Sequence, residues 1–288
     1  MARKNPSLSR DHYRRLKSKF MVGLTIGATA LALIPLFLVL GYLLSKGFTS
    51  LNWDFFTKMP APVGQSGGGM ANAIVGTFWL VGIASAMGVP VGVASGIYIA
   101  ENRGGYVAAA VRFAADIMMG IPTIVVGIFV YEIVVRPFGG FSTLAGSIAL
   151  AIIMIPLVAR TSEEMILLVP HELREAALAL GVPRWRTTLL VVTRTAMSGI
   201  ATGVILAIAR VAGETAPLLF TAFGNRFWSA SLFRPISSLT VQVYTYAISP
   251  FADWQRQAWA GALVLTAIVL ALELSVRWFT RGKVRVAR

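Results

Sequence analysis

The sequence predicts an all-α integral membrane protein with six transmembrane helices, and three observations support this. Of its 288 residues, 56% are hydrophobic and only 13% are charged, whereas a soluble domain carries about 25% charged residues. The apolar residues form long runs, and a helix needs roughly 20 of them to cross a bilayer core. The net charge of +14 comes from basic residues that flank these runs, which indicates membrane orientation rather than nucleic-acid binding.

The apolar runs divide the chain into spans and loops. The first run follows a basic arm, but it is too long for a typical signal-peptide apolar region and is interpreted as a transmembrane helix. The six predicted spans cover residues 20–44, 70–100, 107–135, 142–158, 196–222 and 257–279. The predicted domains are a cytoplasmic basic arm (1–19), the first span with its outer loop (20–66), a transporter domain (67–280) with a cytoplasmic loop at 160–195, and a cytoplasmic tail (281–288).

The distribution of basic residues predicts the orientation. With the N-terminus in the cytoplasm, 19 Lys and Arg residues fall on inner segments and six on outer segments, while Arg210 lies within a span. Inner loops of membrane proteins carry the excess of basic residues. We therefore expect both termini and the long polar loop to face the cytoplasm.

That polar loop contains a predicted helix, turn and second helix. Residues 172–180 are good helix formers, and Gly181 stands where a helix C-terminal stop is expected, because glycine adopts the left-handed conformation without steric cost. Pro183 suits the first turn of the next helix, where no N–H donor is needed.

Arg210 and Glu214 lie within the fifth predicted span, four residues apart, which places them on one face of a continuous helix. Charged groups inside a membrane are costly and are kept mostly where they pair or line a polar pathway. A guanidinium binds phosphate or carboxylate through two parallel hydrogen bonds. We interpret the pair as part of a substrate pathway in which Glu214 limits how tightly Arg210 holds an anion. The alternative is an ion pair that only fixes helix packing.

A second charged group lies at the inner end of the fourth span, where Arg160 is close in sequence to Glu163 and Glu164. It has two equally favoured interpretations, a further part of the pathway or an arginine at the membrane border. Two acids in or near the third span have open roles, and packing at helical spacing, Asp116 with Arg112 and Glu132 with Arg136, is the plainer account. Thr123 and Thr215 are candidate hydroxyl donors to the pathway.

Several kinds of site are not expected. The chain has no cysteine and only two separate histidines, which argues against disulfides, thiol catalysis and a metal site. It has no GxxxxGK[ST] pattern, so no nucleotide site of its own is expected. No nucleophile–base arrangement is visible either, so we expect a protein that is not itself an enzyme and needs no cofactor.

Five sequence blocks resemble one family. Glu175-Ala176-Ala177 followed by Gly181 resembles the EAA motif of permease subunits of ATP-binding-cassette (ABC) importers, although residues 191–194 depart from its usual Ile-x-Leu-Pro ending. This motif together with GGMANAIVGTFWLV, GIPTIVVGIFVY, ARTSEE and ARVAGETAPLLFTAFGN resembles the phosphate permease family of these importers, the PstA-type subunits.

The resemblance implies a type I importer (MetI-like) fold in the bacterial inner membrane. It implies a second, homologous permease, two ATPase subunits that hydrolyse the ATP, and an external phosphate-binding protein. It also implies that Arg160 and Arg210 line or gate the phosphate path, and that the polar loop docks on the ATPase through Glu172, Glu175, Ala176, Ala177 and Gly181.

The sequence is also compatible with three rival functions. The same machine could import another oxyanion, such as molybdate, sulfate or phosphonate, because the external binding protein largely selects the substrate. A secondary transporter or channel working alone would leave the helix–turn–helix loop unexplained. A structural membrane scaffold would keep the charges for stability alone.

Overall fold

The chain is helical in the computed structural model, which describes residues 6–281 and the side chains of residues 13–275. Within that part there is no β-strand, and the one β-bridge joins Pro60 to Gly68. The helices are α1 (Pro6–Phe48), α2 (Trp53–Thr57), α3 (Ala71–Glu101), α4 (Tyr106–Gly120), α5 (Thr123–Val130), α6 (Thr143–Leu167), α7 (His171–Ala179), α8 (Arg184–Arg186), α9 (Thr193–Ala212), α10 (Ala216–Thr221), α11 (Leu239–Ala247) and α12 (Ala252–Arg281).

The predicted six-span membrane architecture is confirmed in outline. Five helical segments are long and apolar enough to cross a bilayer, namely those containing α1, α3, α6, α9 and α12, and the pair α4–α5 supplies a sixth if it counts as one span. Two π-helical turns, Tyr131–Val135 after α5 and Thr187–Val192 before α9, extend these segments.

The prediction of one continuous third span is wrong, because its two halves, α4 and α5, meet at an angle of 104°. The break lies at Ile121 and Pro122, both with an extended backbone (ψ 131°). A proline ring clashes with a helical conformation at the preceding residue, so Ile121 leaves the helix and the chain changes direction.

The fifth predicted span is also interrupted. Helix α9 ends at Ala212, Gly213 forms its C-terminal cap, and the short α10 begins three residues later with Pro217 in its first turn. Glu214 therefore lies in the break, beyond the end of the helix that carries Arg210.

The core forms where α3 packs on α6, along three glycines spaced one turn apart. A methyl group added at Gly92 would stand 2.7 Å from Val158 Cβ, and one at Gly96 would stand 2.5 Å from the carbonyl oxygen of Ala159. The third glycine, Gly88, faces Ala151 and Met154. Small residues let helix backbones approach closely in membranes, so this stripe fixes α3 and α6 as one unit.

Helix α1 lies at the edge of the bundle, and among the described residues its main contact is with α12, near the C-terminal end of α1. Gly47 lies against Leu263, and the rings of Tyr42 and Trp259 meet edge to face with centroids 5.1 Å apart. Its apolar segment is otherwise exposed. Such a surface requires lipid or another membrane helix to cover it.

Candidate functional site

Four charged side chains, from the middle and second half of α4 and from the C-terminal part of α6, form one connected network. Arg112 donates to Glu163 Oε1 through Nε (2.9 Å) and Nη2 (2.7 Å). Arg160 Nη1 donates to Glu163 Oε2 at 2.6 Å, and Arg160 Nε lies 3.1 Å from Asp116 Oδ1. Two positive and two negative groups are therefore joined into a neutral set.

Glu163 is the centre of this network, with only 3% of its side chain exposed. It is placed there by the glycine stripe, since the Cβ position of Gly96 lies 3.0 Å from the backbone nitrogen of Glu163. Each carboxylate oxygen is bound by a different arginine. A buried carboxylate is tolerated when it is paired and hydrogen-bonded in this way.

Arg160 has two carboxylate partners, and they differ in accessibility. Its partner Glu163 is buried, whereas the side chain of Asp116 is 47% exposed. The side chain of Arg160 is 27% exposed. An anion that reached this network would therefore compete with Asp116 for Arg160 rather than with Glu163.

Arg210 has a different environment near the C-terminal end of α9. It is exposed in the single chain, and among the side chains of residues 13–275 no carboxylate lies within 4.0 Å of it. The predicted Arg210–Glu214 pair on one helix face is wrong because the helix ends between them. The carbonyl oxygen of Glu214 instead accepts from Thr240 Oγ1 at 2.9 Å, and Thr215 caps α10.

The depths of the two arginines follow from the packing of α9 on α6. The Cβ position of Gly203 lies 2.7 Å from Thr161 Oγ1, so Gly203 is level with the residue next to Arg160. Arg210 is seven residues further along α9, about 10 Å along the helix axis at 1.5 Å per residue. The two guanidinium groups, one bound by carboxylates and one without a carboxylate of residues 13–275 within 4.0 Å, therefore lie at different levels of the bundle.

The polar loop folds as helix, glycine turn and helix, as its sequence predicts. Gly181 has φ 77°, its N–H donates to Leu178 O (2.9 Å), and the N–H of Val182 donates to Ala177 O (3.2 Å). These two bonds define a Schellman motif, which requires the left-handed residue that glycine supplies. Pro183 stands at the N-cap of α8, one position before its predicted place.

The loop presents a mixed apolar and acidic surface. Glu172, Glu175 and Ala176 are exposed, whereas Ala177 is buried. Large apolar side chains beside them are also exposed, with Leu180 at 84% and Trp185 at 60%. Exposed apolar groups rimmed by charges are typical of a protein–protein contact.

Comparison with known proteins places this geometry in a family. The family model for binding-protein-dependent transport system inner membrane components matches residues 88–285. The chain belongs to this family.

Curated relatives and solved structures agree with that assignment. The chain is 46% identical over 266 residues (92% of this chain, 90% of the relative) to the phosphate transport system permease protein PstA of Yersinia pestis. It is 45% identical over 276 residues (95% and 97%) to the protein of the same name from Haemophilus influenzae.

Two solved ABC transporters share the fold. A bacterial alginate transporter chain matches with a TM-score of 0.68 and 13% identity, covering 96% of this chain and 99% of its own. A methionine transporter chain (MetNI, inward-facing) matches with a TM-score of 0.63 and 18% identity, covering 75% of this chain and 96% of its own. This chain therefore has the MetI-like permease fold in a multi-pass inner membrane protein.

The remaining residues singled out from the sequence are partly where they were predicted and partly elsewhere. Asp116 does not pack against Arg112 at helical spacing, since each binds a residue of α6 instead. The Glu132–Arg136 pair is confirmed at 2.9 Å. Glu164 is exposed, and Thr123 begins α5. Within residues 13–275, no three His, Cys, Asp or Glu side chains are grouped closely enough to hold a metal ion.

One contact of the loop was not foreseen. Glu101, at the last position of α3, accepts hydrogen bonds from Arg174 on α7 and from Thr188 in the π-helical turn before α9. Residue 101 falls between the second and third predicted spans, and no spacing in the sequence indicates these partners, which are 73 and 87 residues away.

Proposed function

We propose that this chain is the membrane-spanning subunit of an ATP-driven importer and moves inorganic phosphate into the cell by alternating access. Phosphate as the substrate is supported by an identity of 45–46%, over at least nine tenths of both chains, to proteins named as phosphate transport system permeases. Arg210 supports an anionic substrate, because it is an intramembrane guanidinium with no carboxylate of residues 13–275 within 4.0 Å.

In this mechanism Arg210 binds the entering phosphate through its planar donor fork. Thr215 and the interrupted backbone after Gly213 supply further polar groups at the same depth. Arg160 lies about 10 Å further in and is held by Glu163 and Asp116. It acts as an inner gate, because an anion passes it only when Asp116 is displaced. Glu214 lies four residues after Arg210, with its carboxylate more than 4.0 Å from the guanidinium, and its negative charge in the pathway favours release.

Energy for the cycle comes from partner subunits. The loop at residues 160–195 faces the cytoplasm, as both termini do, and its exposed Glu172, Glu175 and Ala176 dock with Leu180 on an ATPase subunit. ATP binding draws two such loops together, and the transmembrane helices rock with them. Gly181 sets the turn that presents this surface, while buried Ala177 packs its inner side.

The remaining partners fit the surfaces that the single chain leaves open. The exposed face of α1 suits a second, homologous permease and membrane lipid. An external phosphate-binding protein delivers substrate to the outer side. The chain itself hydrolyses nothing.

The decisive test is phosphate uptake by cells whose only copy of the chain is wild type or Arg210→Gln. We expect Arg210→Gln to assemble with its ATPase, as judged by pull-down, and to lose at least about tenfold in uptake, since hydrogen bonds to a charged group contribute about 1.5–3 kcal/mol. Arg136→Gln, which removes an exposed arginine already paired with Glu132, is the matched control.

Each rival gives a different result in that experiment. Unchanged uptake by Arg210→Gln would remove this residue from the pathway. If the wild type takes up sulfate or molybdate in place of phosphate, the chain is still part of an ATP-driven importer, but its substrate is another oxyanion. A wild-type chain that captures no ATPase, yet transports, would be a secondary transporter.

A further inference from the structure

The carboxylate of Glu101 connects three separate parts of the fold. It belongs to the last residue of α3, its Oε1 is bound by Arg174 Nη1 of α7, and its Oε2 accepts from Thr188 Oγ1 at 3.0 Å. Both charged side chains are largely covered, with 24% of Glu101 and 19% of Arg174 exposed. Charge-assisted hydrogen bonds of this kind are about twice as strong as neutral ones.

The position of Glu101 on its own helix is unfavourable for a negative charge. The C-terminal end of a helix carries a partial negative charge, so a carboxylate there is repelled unless a cation compensates it. Arg174 provides that cation from another element. The charge on Glu101 thus contributes to contact between elements rather than to the stability of α3 alone.

Helix α7 has no other ionic connection to a neighbouring helix in the described part of the chain. Its second ion pair joins His171 to Glu175 within α7 itself. Of the ion pairs among residues 13–275, only Arg174–Glu101 links this helix to the transmembrane bundle. A displacement of α7 therefore acts on α3 through this contact.

Helix α3 continues the connection towards the inner gate. Five residues before Glu101, Gly96 packs directly against α6, and a Cβ placed on it would lie 3.0 Å from the backbone nitrogen of Glu163. Glu163 in turn holds Arg160 and Arg112. A rigid helix of about one and a half turns thus separates the loop contact from the charge network.

We propose that Glu101 is a positioning residue that couples movement of α7 to α3, and so to the Arg160 gate. This inference rests on the proposed function, since it assigns the ATPase-facing role to α7. It predicts that loss of the Glu101 charge separates ATP hydrolysis from transport while leaving the complex assembled.

The test uses the complete transporter, with its ATPase subunits and phosphate-binding protein, purified and reconstituted in proteoliposomes. Phosphate uptake and ATP hydrolysis are measured together for the wild type and for Glu101→Gln, which keeps the shape and removes the charge. We expect normal subunit ratios, continued ATP hydrolysis and a fall in phosphate moved per ATP of about fivefold or more, the lower range of typical coupling effects.

A charge exchange tests whether Arg174 is the partner that matters. We expect the double variant Glu101→Arg with Arg174→Glu to recover at least half of the wild-type phosphate uptake per ATP. Glu101→Arg alone and Arg174→Glu alone should hydrolyse ATP but move little phosphate per ATP. The matched control is Glu132→Gln, which removes a glutamate paired with an arginine four residues away on an exposed surface. This control should equal the wild type.

The outcomes separate the inference from the proposed function. The inference is overturned if Glu101→Gln moves as much phosphate per ATP as the wild type, if it loses its ATPase during purification, or if the exchanged pair recovers nothing. The proposed function is judged on the wild type alone, which must bind ATPase and import phosphate.

Discussion

Arg160 and Arg210 are the same residue type in the same bundle, yet their surroundings differ completely. Arg160 is shared between a buried and a half-exposed carboxylate, while no carboxylate of residues 13–275 lies within 4.0 Å of Arg210. A guanidinium with two carboxylate partners contributes to fold and gating, whereas an open one is available to a mobile anion. Substitutions around each should therefore affect different measurements.

The largest expected effect on stability comes from Glu163→Gln. Removing the buried carboxylate leaves Arg112 without the carboxylate it binds and Arg160 with only the half-exposed Asp116, and breaking a buried pair costs about 3–5 kcal/mol. We expect a marked fall in the melting temperature and yield of the purified complex. Glu164→Gln, at the exposed neighbouring position, should have almost none of this effect. Equal melting temperatures for the two variants would show that the network does not stabilise the fold.

A smaller effect is expected from Gly96→Ala, which acts on Arg160 through packing. The added methyl group would stand 2.5 Å from a backbone oxygen of α6, and overpacking costs about 1–3 kcal/mol. Thermal unfolding of the complex measures this cost. The control is Gly82→Ala on the same helix, where no atom lies within 4 Å of the new methyl group. If both glycines tolerate alanine equally, α3 and α6 are not closely packed at this depth.

The smallest effect is expected from Asp116→Asn, which removes the exposed partner of Arg160 and keeps the buried one. Because Asp116 is half exposed, the contact contributes at most about 1 kcal/mol. We expect little change in melting temperature but a changed rate of phosphate release inside proteoliposomes, measured after a single loading with the binding protein. A large loss of stability would mean that Asp116 is structural and not a displaceable partner.

The sequence was sufficient to predict some contacts within one helix or turn, although the predicted Arg112–Asp116 and Arg210–Glu214 contacts do not form. The membrane class, the Gly181 turn and the Glu132–Arg136 pair all depend on residues a few positions apart. The Arg112–Glu163 and Glu101–Arg174 contacts join residues 51 and 73 positions apart. No spacing rule along one helix indicates such pairs, because they depend on which helix faces form after packing.

The interrupted spans were not predicted for a related reason. Pro35, Pro90 and Pro156 all lie inside continuous helices of this chain, whereas Pro122 lies at a 104° bend. Membrane helices accept proline when neighbouring groups satisfy the freed carbonyls. The residue type alone therefore does not distinguish a tolerated proline from a break, and the surrounding helices decide the outcome.

The charge network has a consequence for how the chain is made. Each of its two helices contributes one arginine and one acid to the network, Arg112 with Asp116 on α4 and Arg160 with Glu163 on α6. Because α4 precedes α6 in the chain, it reaches the bilayer first, and this pair adds no net charge to it. On α6, Glu163 likewise balances Arg160, while Glu164 adds one negative charge at an exposed position. The network residues of each helix thus cancel in charge before the helices meet, and the Arg112–Glu163 and Arg160–Asp116 pairs form once both helices are in the membrane.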